Sequence, residues 1–461
     1  MPWSHNDHKA SAEEAIARKV ISGLSRDLAD VPEPQQSSEH QARVSALSVL
    51  NRAAGPNAVV EEAWQPWVYF NEPPIEPPVE PPIEPPVEPP IEPPVEPPVE
   101  PPVEPPEGVV VTPNDWQSVI GAQGQDAVIL FSDGVYTNFG VSPKPGQQFH
   151  ALPGAAVTLD GGGRSTAFAS SKTGSVIIDG RGAAGNRINI RNYSGSFFLG
   201  VINNLLSGDW YNDGNDRPDS WLAEGWKVHG VHLTNVGTHG VTLCGTHAEL
   251  TDFEILGETG RTLEVCWKML YGYNQLVADG EVANARPTNW GNEGGGSKNW
   301  NTTGLVVERV KSHGHTGPGI WHDFNNFEST IRDCEVWDCS GPGLFQEISV
   351  ESQRVDGQPA GVSIIERNLV RDMRNSTRWG GVEVATAGPV IVRNNTIRNS
   401  KAGVWFRDQG GRSPHTGHTA GEVYGNLLDN AGQSGYIKES GQGGVVTWHD
   451  NEFVNGSTGP G

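Results

Sequence analysis

This chain is short of the features that would make it a disulfide scaffold, a membrane protein or a binder of duplex nucleic acid. Its 461 residues hold four cysteines, Cys244, Cys266, Cys334 and Cys339, with no CxxC and no Cys/His spacing of a zinc site. They are read as buried small hydrophobes. No apolar run reaches the roughly 18 residues of a transmembrane helix. Basic charge is scarce too: 32 Lys and Arg stand against 55 Asp and Glu, a net charge of −23, so no basic stripe is available to neutralise a phosphate backbone. Methionine is rare, at three residues. The start, MPWSHNDHKASAEEAIARKV, lacks the apolar core of a secretory signal. The expectation is an extracellular, virion-associated or surface-assembled protein that gets there by another route, ahead of a cytoplasmic enzyme.

Glycine and proline are abundant instead, at 58 and 35, and they are distributed differently. Much of the proline lies in residues 72–107, where Glu-Pro-Pro-Ile/Val repeats eight times before EPPE. Proline fixes φ and removes the amide donor, so this run cannot join a helix or a sheet. A polyproline II spacer is expected, on the order of 110 Å long at about 3.1 Å per residue. Residues 1–71 before it read as a helical anchoring or oligomerisation segment. Ile16, Val20, Ile21, Leu24 and Leu28 form one helical stripe; Val44, Leu47 and Leu50 form another. Such stripes need a partner, either an unidentified protein or further copies of the chain.

Glycine is spread through residues 108–461, the third part. After a helix expected near Asn114 or Asp115 come short β runs punctuated by Gly and Pro, as in AVILFS, QQFHAL and AVTLDG. A repeat then emerges. Its centres are Val231, Phe253, Gly280, Val310, Cys334, Asn368, Asn395, Asn426 and Asn451, spaced like the rungs of a solenoid. The four Asn share one column, where a side-chain amide can satisfy turn backbone from rung to rung.

About 13 residues after each centre lies a second series: VTLC, LEVC, IWHD, LFQE, VWFR and YIKE. Alternate residues of a strand face one side. Cys244, Cys266, Asp323, Glu347, Arg407 and Glu439 are therefore expected in one outward column, with Lys298 joining them. Trp321, Phe345, Glu383 and Trp405 are expected on the same outer face. Stacked coils lie about 4.8 Å apart, which makes Cys244 and Cys266 expected neighbours, read as free thiols in the absence of an export signal. His322 and Gln346 follow the inward phase and read as supporting residues.

With GGGSK (294–298), TTGL (302–305), GIWHD (319–323) and GLFQEIS (343–349) in order, the chain resembles right-handed parallel β-helix proteins of the pectate-lyase-like superfamily over most of 108–461. The resemblance implies an all-β solenoid and a polysaccharide partner; it supplies no defined catalytic signature. Three readings stay open. A lyase would use Lys298 as base, Arg407 on the substrate carboxylate, and Ca²⁺ held by Asp323, Glu347, Asn325 and Asn326. A glycosidase would use Asp323 as nucleophile and Glu347 as acid/base. A binding surface, such as a tail spike or fibre presents, would use Trp321, Phe345, Glu383 and Trp405 against sugar rings with no cleavage.

Overall fold

The computed structural model describes residues 106–461, apart from 171–172, 196–198, 205–224, 259–260, 288–293, 351–360, 374–379, 409–418, 439–443 and 461. The helical segment expected over 1–71, the spacer up to 105 and Glu439 lie outside the described residues.

The chain winds into a right-handed parallel β-helix whose coils present three strand faces. On the first, Thr330–Arg332, Ser363–Glu366, Val390–Arg393, Gly421–Tyr424 and Val446–His449 pair in succession. On the second, Glu335–Trp337, Leu369–Arg371, Thr396–Arg398, Leu427–Asp429 and Glu452–Val454 do the same. The third carries Ile320–His322, Leu344–Val350, Val382–Gly388, Ala402–Asp408 and Gln433–Lys438. All these pairings are parallel, so each strand reaches its partner by a full turn of chain. A right-handed turn is the one that suits the twist of the strands.

Period-2 alternation fills the interior. Ile331, Ile365, Val392 and Val423 stand one above another in register and are all but inaccessible. Burying each such side chain contributes about 1.5–3 kcal/mol. Where the column is tight, glycine makes room: a Cβ on Gly280 would sit 2.2 Å from the ring of Phe253 on the coil before. The start is closed by the helix Trp116–Ala122, which buries Trp116 and Ile120.

The repeat centres fall at a corner. In the later coils the strand stops on one side of the Asn and resumes on the other, as at Glu366 and Leu369 around Asn368. The residue just before each centre is left-handed: Asp252, Asp279, Arg309, Asp333, Arg367, Asn394 and Asp450 have φ between 52° and 55°. Asp and Asn tolerate that region best among residues with a Cβ. The amide ladder runs as the spacing predicts. Cys334 N–H donates to Asn368 Oδ1, Asn368 N–H to Asn395 Oδ1, Asn395 N–H to Asn426 Oδ1 and Asn426 N–H to Asn451 Oδ1, at 2.9–3.1 Å.

One expectation fails. A register shift between Thr238 and His239 sets Cys244 opposite Leu270, while Cys266 falls between Val265 and Trp267, the partners of His239 and Val241. The two cysteines are not neighbours, and none of the four is in a disulfide. Burial pushes the thiols of Cys244 and Cys334 up to about 12, which suits inert packing groups.

Candidate functional site

The third face gathers the charged residues singled out above. Its register is set by Ile320–Leu344, Trp321–Phe345 and His322–Gln346, continued by Phe345–Glu383, Glu347–Ala385, Glu383–Trp405 and Ala385–Arg407. Ile320, Leu344, Val382 and Val404 point inward to the core. Two outward columns result. One reads Trp321, Phe345, Glu383, Trp405. The other, two residues on, reads Asp323, Glu347, Ala385, Arg407. Asp323 and Glu347 are direct neighbours on adjacent coils, about 4.8 Å apart at the backbone.

Lys298 is placed differently from the expectation. Asn299 bridges to His322, so Lys298 aligns with Trp321 and heads the aromatic column, and Trp300 aligns with Asp323. An insertion precedes this coil, and its length hid the register. The lysine still reaches the carboxylate diagonally. Lys298 Nζ lies 3.3 Å from Asp323 Oδ2 and 4.2 Å from the Trp321 ring centroid. Trp300 Nε1–H donates to the same Asp323 oxygen at 2.9 Å. Arg407 makes the equivalent diagonal contact with signs exchanged: its Nη2 donates to Glu383 Oε1 at 2.8 Å and its Nε to the same oxygen at 3.1 Å.

Burial corrects a second expectation. Trp321 and Phe345 point away from the core but are only 2% exposed; they stack with centroids 5.3 Å apart and close over Ala385. They are a buried wall of the site and not open platforms. Trp405 is half-buried. Lys298 and Glu347 are each 3% exposed and Glu383 is 2%.

The residues proposed for Ca²⁺ divide. Asn326 Oδ1 accepts from Thr302 at 2.7 Å and its Nδ2 donates to the Asn299 carbonyl. Asn325 donates to Asn301 at 2.9 Å, and its Oδ1 is buried without a hydrogen-bond partner. Among the described residues no group of three or more His, Cys, Asp or Glu is arranged to hold a metal.

His322 and Gln346 behave as supporting residues. His322 Nδ1 meets Gln346 Oε1 at 3.2 Å, and Gln346 Nε2 donates to the Asn326 carbonyl at 3.0 Å. Burial holds the His322 imidazole down to about 4, the Gln346 contact opposing it. Lys268 was missed in the sequence. It pairs with Thr242 on the preceding coil and is 2% exposed. Its signal was present in LEVCWKML: between the core residues Trp267 and Met269 it takes the outward phase, whereas Cys266, expected in the outward column, lies in the core, because the register shift at Thr238/His239 breaks the alternation before it.

No protein-family model matches the chain, and no curated protein matches it. Solved structures do share its outline. The catalytic domain of a GH87 α-1,3-glucanase aligns over 78% of this chain and 70% of its own at 11% identity, with a TM-score of 0.43. The periplasmic alginate epimerase AlgG aligns over 75% and 84% at 11% identity, with a TM-score of 0.37. An alginate lyase from Paenibacillus sp. str. FPU-7 aligns over 75% and 99% at 10% identity, with a TM-score of 0.32. The class this chain falls in is that of the parallel β-helix proteins, defined by its own strand register. At these identities no residue role carries over. Among the described residues no helix is long and apolar enough to cross a membrane.

Proposed function

We propose that the third face binds a polysaccharide and cleaves its glycosidic bonds with Asp323 and Glu347. The observation that carries this reading is the contrast between charges on this face and elsewhere. Elsewhere on the coil the ladders keep at least the arginine open: Arg309–Asp279 is 49%/43% exposed, and where the carboxylate is buried, as in Arg332–Glu308 and Arg393–Glu366, the arginine is still 40% and 32% exposed. Here the pairs Lys298–Asp323 and Arg407–Glu383 are 4%/13% and 12%/3% exposed. Ions are costly to bury, and apolar residues would pack as well, so buried charge beside aromatic rings argues for a site.

Neighbours on coils about 4.8 Å apart at the backbone suit the closely spaced carboxylates of a retaining mechanism better than the wider pair of an inverting one. Lys298 and Trp300 both hold Asp323 Oδ2, which supports that carboxylate as the nucleophile. It attacks the anomeric carbon as the glycosidic C–O bond breaks, and Glu347 gives its proton to the departing oxygen. Water then displaces the ester, losing a proton to Glu347 and freeing Asp323. Lys298 acts as counter-ion here and not as a base. With Lys298 at Asp323 and Thr302 at Asn326, the donor set does not fit a Ca²⁺ cage.

The rival is recognition without cleavage, with residues 1–71 joining the domain to a partner or to further copies. The ladder's continuation past the carboxylates to Glu383, Trp405 and Arg407 favours it, since cleavage alone does not need them. The test is to incubate the full chain with neutral and acidic polysaccharides. New reducing ends, lost in Glu347→Gln, support hydrolysis; an ultraviolet-absorbing unsaturated product indicates a lyase; binding with neither leaves recognition alone.

A further inference from the structure

On the first coils of the helix arginines are matched to carboxylates. Arg181 lies 2.7 Å from Asp179, Arg187 2.9 Å from Glu254 and Arg191 3.0 Å from Asp160. Arg164, beside them, makes no ion pair among the described residues. The carboxylate of its own turn, Asp160, is already satisfied: it accepts from Gly162 N–H at 3.0 Å, Arg191 Nε at 3.0 Å and Asn192 Nδ2 at 2.8 Å. Arg164 instead forms part of a cavity of about 200 Å³. Ser165 and Thr166 continue its wall, and Gly140, Val141 and Ser142 of the coil before form the other. The arginine crosses Gly140 closely, since a Cβ there would lie 3.3 Å from Arg164 Cδ and 3.4 Å from its Nη1. None of the lining residues is acidic, in a chain of net charge −23. The hydroxyls of Ser142, Ser165 and Thr166 make no hydrogen bond to another described residue. An exposed arginine alone is ordinary; this one closes a cavity in which every polar side chain is an uncommitted donor.

We infer that this cavity binds a phosphate group, free or carried as a monoester, with Arg164 as its cation and Ser142, Ser165 and Thr166 as hydrogen-bond donors. A guanidinium fork meets two oxygens of a carboxylate or of a phosphate equally well. A carboxylate is then used up, and the hydroxyls are left to water. A phosphate has further oxygens, and hydroxyls on both walls can donate to them. A second guanidinium adds to the positive field: Arg261 Nη2 comes within 3.8 Å of the place a Cβ on Gly163 would take. The site lies where the third face begins, beside Ala169. Five coil steps separate Ala169 from Trp321, about 24 Å along the axis. The cavity is therefore distinct from the Asp323–Glu347 pair, and the inference rests neither on cleavage nor on a sugar.

The experiment is calorimetry on the full chain in low-salt, phosphate-free buffer at about pH 7, where a phosphate monoester is largely dianionic. The probes are inorganic phosphate, glycerol phosphate and acetate. Expected is saturable binding of a phosphate probe, with acetate at least about tenfold weaker. Arg164→Met should weaken the phosphate probe about tenfold, with an unchanged unfolding midpoint, because the side chain is exposed. Ser142→Ala combined with Thr166→Val should weaken it severalfold and leave acetate where it was. Tighter binding of glycerol phosphate than of inorganic phosphate identifies a group carried on a larger ligand; the reverse order identifies the free ion. The inference is overturned if neither phosphate probe binds below about 10 mM, if acetate binds as well as phosphate, or if Arg164→Met binds phosphate as tightly as the parent chain. None of these outcomes touches the reading of Asp323 and Glu347, which is assayed separately by reducing-end release.

Discussion

Asp323 and Glu347 stand opposite each other on adjacent coils, held in register by the His322–Gln346 pair one residue before them. Their partners differ: Asp323 lies against Lys298 and Trp300, while Glu347 faces Ala385 on the following coil. The proposed chemistry assigns them different roles on that basis. Asp323→Asn and Glu347→Gln should each lower the rate of reducing-end release by a factor of about 10² to 10⁴ with the fold intact by circular dichroism. Near-native release by both variants would remove the pair from the mechanism.

The Lys298–Asp323 pair is buried, so its halves should not be separately expendable. Lys298→Met is expected to cost about 3–5 kcal/mol by leaving the carboxylate uncompensated. Adding Asp323→Asn should recover much of that cost. Urea unfolding of the two single variants and the double variant measures the coupling; strictly additive costs would mean the two charges do not interact.

The amide ladder should be strongest in its middle. Asn395 Oδ1 accepts from Asn368 N–H and Nδ2–H, and its own Nδ2 donates to the Ile365 carbonyl and to Asn426 Oδ1. Asn395→Ala leaves these groups buried and unmatched, at a cost of about 2–4 kcal/mol. Asn451→Ala, at the last rung, should cost less. Denaturant midpoints of the two variants decide the order.

Stability should depend on pH through His322. Its folded-state value of about 4 lies below the roughly 6.5 of an unfolded imidazole. The unfolded chain therefore binds the extra proton first. The stability that neutral His322 contributes is complete above about pH 6.5 and is lost as pH falls towards 4. The loss is on the order of 3 kcal/mol. His322→Gln should flatten the fall of the unfolding midpoint over that interval; an unchanged slope would place the titration elsewhere.

Calcium offers a separate check. With Asp323 against Lys298 and Asn326 against Thr302, chelation by EDTA should leave both sugar binding and any turnover unchanged. Activity that disappears with EDTA and returns with added Ca²⁺ would show that Lys298 gives way to a cation.

Much of this was legible in the sequence, because a solenoid repeats its instructions. The Asn column was readable at Asn368, Asn395, Asn426 and Asn451, since each coil must satisfy the same corner amide. The alternation of Ile320, Trp321, His322 and Asp323 gave inside and outside correctly, because side-chain direction along a strand is a local property. The pairing between coils is not local. The insertion before Lys298 and the shift at Thr238 changed the register without leaving a mark in the pattern, so the sequence put Lys298 in the carboxylate column and Cys244 beside Cys266. Burial was beyond it too: an outward-pointing Trp321 reads as exposed until the fold stacks Phe345 against it. Sequence alone determined that this chain winds into coils and, Cys266 apart, which of the singled-out residues leave its core. Only the tertiary structure decided which of those residues meet, because that depends on how much chain each coil spends before it returns.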